Sequence, residues 1–182
     1  MKIIKTKIEG LLIIEPIVYA DNRGWFMESY NEKVFKDNGI YIDFKQDNHS
    51  FSKQKGVLRG LHFQNFPFAQ TKLVRCTSGK IWDVAVDLRI SSPTYLEWIG
   101  VELSLENKKM LLIPQGFAHG FITLEEGAEV QYKVDNFYNK ESDRSIYYND
   151  PQININWPLK EVFLSEKDNV APLLKDSDVN FK

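Results

Sequence analysis

Residues 59–75, RGLHFQNFPFAQTKLVR, bring a histidine, an arginine and a lysine into a segment that otherwise alternates like paired β-strands. The histidine, His62, has the side chain whose pKa lies nearest to neutral pH, so it is suited to act as a general base. Lys72 follows after a loop, and Tyr132 lies on a later predicted strand. A base, a cation and a phenol in one pocket suit the removal and return of a proton on carbon. Spacing alone leaves open that His62 is a hydrogen-bonded interior residue and Tyr132 a core aromatic.

The three histidines, His49, His62 and His119, also raise the question of a metal site, since three imidazoles are a known zinc ligand set. The segment IPQGFAHGF, which contains His119, resembles the second metal motif of the cupin barrels. The first cupin motif needs two histidines two residues apart and then a glutamate, because such ligands face one ion. Here Gln64 stands in place of the second histidine, and no glutamate follows in NFPFAQTK. The sequence therefore predicts no bound metal.

Short runs of β-branched and aromatic residues recur between residues 11 and 134, separated by turn residues. This spacing is typical of an all-β sandwich or barrel. In the first half, NEKVFKDNG predicts one short helix, with Asn31 as its cap and Gly39 as its stop. From NWPLKEVFLSEKD onward the strand pattern fades and short helical turns are predicted. No linker or internal repeat stands out, so we predict a single domain over residues 1–182.

Alternation along a strand indicates which side chains share a face. Arg59 and His62 differ in parity, so a regular strand would point them to opposite sides of the sheet. Either a bulge intervenes, or Arg59 reaches a ligand on the other side, across a subunit boundary. Tyr132 and Tyr138 share parity, and both are predicted to face one cavity if their strand stays regular.

The segment KIWDVAVDL reads as a strand with two unlike faces. The face that carries Trp82 is wholly apolar, whereas the opposite face carries Asp83 and Asp87. We therefore predict one packed side and one wetter side.

The composition limits the classes of function. The 182 residues are 43% hydrophobic and 13% aromatic with a net charge of −2, which indicates a globular chain without a basic surface for nucleic acid or an anionic membrane. Cys76 is the only cysteine, so we expect a buried apolar role and a reducing compartment. The N-terminal apolar patch is broken by KIEG and EP well short of a signal or spanning length. A cytoplasmic protein is predicted.

A series of motifs resembles the dTDP-4-dehydrorhamnose 3,5-epimerase family. The matching segments include DNRGWFMESYN, FKQDNHSFS, GVLRGLHFQ, KLVRCTSGKIWDVAVDLRISSPTY, LSLENKKMLLIPQGFAHGF, YKVDNFY and LSEKD, in the family's order. The resemblance implies a mainly β, cupin-like jelly-roll barrel or sandwich with a few short helices, mostly near the C-terminus. It also implies a homodimer without metal or organic cofactor. The implied reaction is epimerisation of dTDP-4-keto-6-deoxyglucose at C3 and C5, in the synthesis of dTDP-L-rhamnose.

The resemblance also implies roles for individual residues. His62 would be the base, Asp168 of LSEKD would orient it, Lys72 would sit by the C4 carbonyl oxygen, and Tyr132 would protonate the sugar from the opposite face. A further set would bind the nucleotide, its pyrophosphate or the sugar: Arg23, Phe26, Glu28, Gln46, Asn48, Arg59, His119, Tyr138, Asp143 and Lys167. Within that set, Phe26 would stack on the base.

Three other functions remain open at this point. Related enzymes that epimerise only C3 or only C5 share most of these motifs. A cupin-fold module that binds a nucleotide sugar without converting it is a second alternative, and a metal-dependent cupin isomerase or dioxygenase is a third. The set of His62, Lys72, Tyr132 and Asp168 argues against a binding module, because binding gains nothing from a matched base and acid.

Overall fold

The computed structural model describes residues 1–182 and consists mainly of β-strands. The strands are β1 (Lys2–Lys5), β2 (Leu12–Glu15), β3 (Val18–Asp21), β4 (Gly24–Met27), β5 (Gln46–Ser52), β6 (Leu58–Gln64), β7 (Lys72–Ser78), β8 (Lys80–Asp87), β9 (Trp98–Ser104), β10 (Met110–Ile113), β11 (Phe117–Thr123), β12 (Ala128–Val134) and β13 (Asp143–Ser145). Two short helices, α1 (Glu32–Asp37) and α2 (Glu166–Asn169), and a 3₁₀ turn at Leu174–Asp176 complete the fold. Neither helix has the length or apolar character needed to cross a membrane.

Two antiparallel sheets form the body of the molecule. One has six strands in the order β1-β2-β10-β7-β12-β5, and the other has five in the order β13-β6-β11-β8-β9. Their inner faces share a core that includes Val74 and Val130 from the first sheet and Ile81 and Ala85 from the second. This arrangement confirms the predicted jelly-roll sandwich, and alternation explains it because each strand places every second side chain between the sheets.

The outer faces of both sheets are also covered in part. The C-terminal segment packs Ile146, Ile153 and Phe181 against Val84 and Val86 of β8. This segment carries α2 and the 3₁₀ turn, so the chain's end closes over the five-stranded sheet and brings α2 beside β6.

Helix α1 covers part of the outer face of the six-stranded sheet. Asn31 caps it by accepting a hydrogen bond from the Val34 amide, as predicted, and Gly39 follows its end at a φ of +78°. A six-residue helix is unstable alone, so its stability comes from packing. Phe35, 2% exposed, supplies that packing against Leu73 and its neighbours, and its burial contributes about 1.5–3 kcal/mol.

The prediction of a wetter face on β8 is wrong. Asp83 and Asp87 are both 0% exposed. Both faces of β8 are covered, one by the opposite sheet and the other by the C-terminal segment, so period-2 alternation does not mark a solvent side. Each carboxylate accepts hydrogen bonds inside the protein: Asp87 from Arg89, Ser92 and Thr94, and Asp83 from His119.

Strands β3 and β4 form a separate two-stranded hairpin. Its aromatic side chains are largely exposed, with Phe26 at 65% and Tyr19 at 62%. Trp25 forms a cation–π contact with the body of the molecule, in which the Lys108 ammonium lies 4.6 Å from the ring centroid. The hairpin therefore leaves apolar surface that this chain does not cover.

Candidate active site

A cavity of about 310 Å³ opens at one end of the sandwich and is lined from both sheets. Nine of the predicted site residues line it: Arg59, His62, Lys72, His119, Tyr132, Tyr138, Asp143, Lys167 and Asp168. Because β6 and β11 belong to one sheet and β7 and β12 to the other, groups from both sheets line the same cavity. A volume of this size is typical of small-molecule sites.

His62 and Asp168 form a hydrogen-bonded pair at the cavity. His62 Nε2 lies 2.5 Å from Asp168 Oδ1, and Asp168 is 2% exposed. Burial acts to raise the pKa of Asp168, but hydrogen bonds from His62 and Ser165 outweigh it and hold the pKa below its usual value. An ionised carboxylate only accepts hydrogen bonds, so Nε2 carries the proton and Nδ1 of His62 is the nitrogen free to take one.

Ser165 holds Asp168 in place, a role that the sequence analysis did not identify. As N-cap of α2 it accepts a hydrogen bond from the Asp168 amide, and its hydroxyl donates to Asp168 Oδ2 at 2.8 Å. The spacing of a serine three residues before an acidic residue is that of a capping box. The signal was therefore present in SEKD.

Tyr132 lines the cavity from β12, in the sheet opposite His62. Burial raises the pKa of its phenol, Arg59 opposes the shift and Asp143 reinforces it. The hydroxyl is therefore protonated at neutral pH and able to donate a proton. Strand β12 ends at Val134, yet Tyr138 also lines the cavity from the following loop, so both tyrosines reach it without the regular strand that their shared parity assumed.

Lys72 enters the cavity from the start of β7 and is only 7% exposed. Its ammonium donates a 3.4 Å hydrogen bond to the backbone carbonyl of His62. Burial lowers the pKa of Lys72 to about 8, while Asp83 and Asp143 act against this effect. Near neutral pH the cavity therefore contains a buried cation beside the His62 pair.

A bulge in β6 settles the parity of Arg59 and His62. His119 of β11 pairs with His62, whereas Phe121, two residues on, pairs with Arg59, three residues back. One extra residue in β6 turns both side chains into the same cavity. Gly60 lies at the bulge with a φ of +136°, and a Cβ there would lie 2.5 Å from the Cα of Gly120.

His119 lies deeper than His62. Its Nε2 is 2.8 Å from Asp83 Oδ1, and its side chain is 8% exposed. Burial lowers the pKa of His119 and Asp83 opposes the shift, so the ring is neutral at pH 7. The carboxylate accepts the Nε2 proton, which leaves Nδ1 as the acceptor of the ring.

Charged and polar groups form the rim of the cavity. Asp143 Oδ2 accepts hydrogen bonds from Lys167 Nζ at 2.6 Å and from the Tyr138 hydroxyl at 3.4 Å. Gln46 lies next to this group, because its Oε1 accepts a hydrogen bond from the Tyr138 amide and its Nε2 donates to Asn48 Oδ1. Of the predicted residues, Gln46 and Asn48 thus lie at the margin of the cavity without lining it.

The cavity does not contain Arg23, Phe26 or Glu28. Arg23 lies in the β3–β4 hairpin and forms an ion pair with Asp21 at 2.6 Å, with an 85% exposed side chain. Phe26 is exposed on β4, and Glu28 accepts a hydrogen bond from Asn31 next to α1. The single chain therefore brings together one part of the predicted set and leaves these three residues outside.

The three histidines do not converge. His49 faces the outside of the six-stranded sheet, where its Nε2 lies 2.8 Å from Glu129. No group of three or more histidine, cysteine, aspartate or glutamate side chains has the geometry of a metal site. Gln64, in place of the cupin ligand, donates hydrogen bonds to the carbonyls of Phe68 and Phe137 and so ties two loops together.

Comparisons with known proteins identify the family to which the sequence is similar. Residues 5–176 match the family model described as dTDP-4-dehydrorhamnose 3,5-epimerase. The chain is 54% identical to the dTDP-4-dehydrorhamnose 3,5-epimerase of Shigella flexneri over 179 residues, covering 98% of each chain.

Two solved structures extend the comparison. The dTDP-6-deoxy-D-glucose-3,5-epimerase of Legionella pneumophila, in complex with dTDP-4-keto-L-rhamnose, is 51% identical with a TM-score of 0.93, covering 97% of this chain and 94% of that one. A 3′-monoepimerase of Streptomyces bikiniensis, in complex with dTDP-quinovose, is 32% identical with a TM-score of 0.88, covering 94% and 87%. The same fold therefore occurs with both two-carbon and one-carbon epimerisation.

Proposed function

The chain belongs to the dTDP-4-dehydrorhamnose 3,5-epimerase family, and we propose that its cavity carries out that reaction by proton transfer through His62 and Tyr132. The protein is an isomerase that converts dTDP-4-dehydro-6-deoxy-D-glucose to dTDP-4-dehydro-L-rhamnose. One observation carries the residue assignment: a His62–Asp168 pair and a protonated Tyr132 line one cavity from two facing sheets.

The first step is removal of a proton from carbon. The ketone at C4 acidifies the hydrogens at C3 and C5, because the electron pair of the broken C–H bond delocalises onto O4 as an enolate. His62 Nδ1 takes the proton and becomes an imidazolium. Asp168 stabilises that cation and keeps Nε2 protonated, so the base nitrogen faces the cavity.

Lys72 stabilises the enolate. A buried ammonium close to O4 acts in a medium of low dielectric constant, where it stabilises an oxyanion more than water does. Removal of one oxyanion donor costs about 2.7–4 kcal/mol in other enzymes, and we expect a similar contribution from Lys72.

Tyr132 completes the inversion. An electron pair on O4 re-forms the C=O bond, and the C=C pair of the enolate takes the phenolic proton on the face opposite His62 to form the new C–H bond. A phenol is a weak acid in water, but the carbon it protonates is strongly basic. His62 then loses its proton to solvent and the phenolate regains one, so that the second carbon can be inverted by the same groups.

The nucleotide part of the substrate lies along the rim. Arg59 and Lys167 are cations suited to a pyrophosphate. Tyr138, with 59% of its surface exposed, offers a ring face for stacking on the base. Gln46 and Asn48 add hydrogen-bonding groups, and His119 and Asp143 contact the sugar.

We also propose that the protein is a homodimer in which the β3–β4 hairpin of one copy reaches the cavity of the other. Arg23, Phe26 and Glu28 are predicted to bind substrate, but they lie outside the cavity of their own chain. The hairpin's exposed Phe26 and Tyr19 are apolar surfaces that a second copy would cover. This arrangement gives the hairpin residues access to a substrate.

We propose that residues 1–182 act as one domain in the cytoplasm. The core clusters run through both sheets and the C-terminal segment without a break in the chain's packing. The only cysteine, Cys76, is buried, and burial raises the pKa of its thiol to about 12, so it is unreactive and consistent with a reducing compartment.

Incubation with dTDP-4-keto-6-deoxyglucose in heavy water tests the function, with NMR at C3 and C5 as the readout. Each inversion replaces a carbon-bound hydrogen by deuterium from solvent, so we expect label at both carbons and the L-rhamno product. Label at one carbon would identify a single-site epimerase of the Streptomyces bikiniensis kind. Absence of label would refute catalysis and leave a binding role.

A further inference from the structure

Asp83 carries a buried carboxylate oxygen that has no hydrogen-bond partner. The residue is 0% exposed and lies on the inner face of β8, between the two sheets. Its Oδ1 accepts a 2.8 Å hydrogen bond from His119, whereas its Oδ2 has no partner within the protein. Native proteins seldom leave such a group unpaired, because removing it from water without compensation costs stability. The unpaired oxygen therefore calls for a functional explanation.

Asp87 shows that burial on this strand does not by itself leave a carboxylate unpaired. It lies on the same strand, has the same parity and is equally buried. Its carboxylate, however, is saturated by Arg89, Ser92 and Thr94. The two aspartates thus differ in their hydrogen bonds: both carboxylate oxygens of Asp87 accept them, whereas only one oxygen of Asp83 does.

Lys72 is linked to Asp83 through two histidines: its ammonium donates to the His62 carbonyl, His62 is the cross-strand partner of His119, and His119 bonds Asp83 Oδ1. Lys72 is buried at the same end of the sandwich and projects from the opposite sheet. Burial lowers the pKa of Lys72 to about 8, and Asp83 is the carboxylate that most strongly resists this, ahead of Asp143, while Lys167 adds to the lowering. A lysine that must be protonated to stabilise an enolate needs such a counter-charge.

We propose that Asp83 is a positioning residue for the epimerisation: Oδ1 fixes the ring of His119, and Oδ2 supplies the negative charge that keeps Lys72 protonated beneath O4. This inference rests on the proposed function, since a protonated Lys72 is useful only where an oxyanion forms. The unpaired oxygen would then act on the Lys72 ammonium through its charge and not through a hydrogen bond.

The same geometry gives Lys72 and His119 different roles. Because Asp83 accepts the Nε2 proton, neutral His119 presents Nδ1, an acceptor, to the cavity. An acceptor suits a sugar hydroxyl and not the C4 carbonyl oxygen. The positive charge at O4 must therefore come from Lys72, and Asp83 maintains it.

The titration of Lys72 depends on every ionisable group around it. They are Arg59 and His62 on β6, Asp83 on β8, His119 on β11, Tyr132 on β12, Tyr138 in the loop after it, Asp143 on β13, and Lys167 and Asp168 on α2. Only Asp83 and Asp143 are carboxylates that raise the Lys72 pKa. Asp143 already pairs with Lys167 at 2.6 Å, so Asp83 is the one without a competing cation.

The substitution Asp83→Asn separates charge from orientation. Asparagine keeps an oxygen that accepts the His119 hydrogen bond but removes the negative charge. The pKa of Lys72 should fall below its value in the unsubstituted protein by about one unit, because a nearby opposite charge is lost. NMR titration of protein with ¹³C-labelled lysine side chains measures this directly, and Lys72→Arg identifies the Lys72 signal. The alkaline limb of kcat/KM should move to lower pH by the same amount.

Asp87→Asn is the matched control. It removes an equally buried charge from the same strand, so it lowers the unfolding temperature but should leave the Lys72 titration and the alkaline limb unchanged. A folded Asp83→Asn protein with an unshifted Lys72 signal would overturn the proposal. If Asp83→Asn does not fold, Asp83→Ser, which leaves room for water but does not keep the oxygen that His119 bonds, still tests the effect of the Asp83 charge on Lys72. Failure of both to fold while Asp87→Asn folds would make Asp83 structural and also overturn it.

The NMR titration of Lys72 does not require turnover, so it tests the role of Asp83 independently of the proposed epimerase function. Absence of deuterium incorporation by the unsubstituted protein would refute the proposed function. Normal incorporation together with an unshifted Lys72 signal in Asp83→Asn would refute only the role of Asp83.

Discussion

His62 and His119 are direct neighbours across β6 and β11, and each bonds an aspartate through Nε2. Their environments differ, since the His62 side chain is 32% exposed and that of His119 is 8% exposed. The exposed ring can exchange protons with solvent between catalytic cycles, whereas the buried ring stays neutral. Two similar pairs are thus suited to different work, proton transfer by His62 and positioning of a hydroxyl by His119.

Replacement of the base tests the residue assignment. His62→Asn should lower kcat by about 10²–10⁴-fold, the usual contribution of a general base, while circular dichroism shows an unchanged fold. His49→Asn is the control, because His49 also pairs with a carboxylate but lies on the outer face of the six-stranded sheet. Near-normal deuterium incorporation by His62→Asn would remove His62 from the mechanism.

The sequence was enough to predict some residues of the site but not others. The motifs around His62 and Asp168 predicted two residues that are 106 positions apart in the chain and that the structure joins by a hydrogen bond. Asp83 was misjudged as lying on a wetter face, because alternation along β8 reports two faces but not what covers them. Ser165 was missed although SEKD carried its capping signal.

At the scale of elements, the bulge in β6 decides what the cavity contains. Without the extra residue, Arg59 and His62 would point to opposite faces, and the cavity would lack its arginine. The sequence left this open because a bulge is defined by the register of the partner strand, here β11, which is about 60 residues away. Gly60, the second glycine of GVLRGLHFQ, is consistent with a bulge but does not by itself specify one.

Substitution at the bulge tests the close contact between β6 and β11. Gly60→Ala should destabilise the protein, because its Cβ would lie 2.5 Å from Gly120 Cα and one backbone must shift. Gly24→Ala is a matched control, since Gly24 has a φ of +138° against +136° for Gly60 but nothing within 4 Å of its Cβ position. The positive φ destabilises both variants similarly, so the difference between their unfolding free energies measures the cost of the close contact with Gly120.

We expect urea unfolding at one fixed protein concentration to show Gly60→Ala less stable than Gly24→Ala by about 1–3 kcal/mol, a typical cost of overpacking. Equal unfolding free energies would mean that the two backbones separate freely, and that the bulge does not depend on their contact.

At the scale of the whole molecule, the sandwich was predictable but its strand pairing was not. Regularly spaced β-runs indicate two packed sheets whatever their order. The cavity depends on β7 pairing with both β10 and β12, and on β6 pairing with β11 and β13, which are contacts between distant parts of the chain. Periodicity contains no information about such partners, so the opposition of His62 and Tyr132 required either a family resemblance or the structure.

The β3–β4 hairpin is proposed to act between two copies of the chain, which complementation can test. If the β3–β4 hairpin of one copy serves the other's cavity, a variant defective in the cavity and a variant defective in the hairpin should complement each other. His62→Asn loses the base but keeps its hairpin, whereas the double variant Arg23→Ala with Phe26→Ala keeps its cavity. In a mixed dimer, the intact cavity would receive the intact hairpin, so one complete site forms.

Co-expression of the two variants, with different affinity tags to isolate the mixed dimer, makes this measurable. We expect the mixed dimer to regain epimerisation at a low substrate concentration, where each parent is weak, and sedimentation to show two chains per particle. Two cavity variants, His62→Asn with Lys72→Ala, serve as the control. They should not complement each other, because each chain of the mixed dimer then has a defective cavity. Activity no higher than that of the hairpin variant would mean that each hairpin serves its own chain, since the defective hairpin would then stay with the intact cavity.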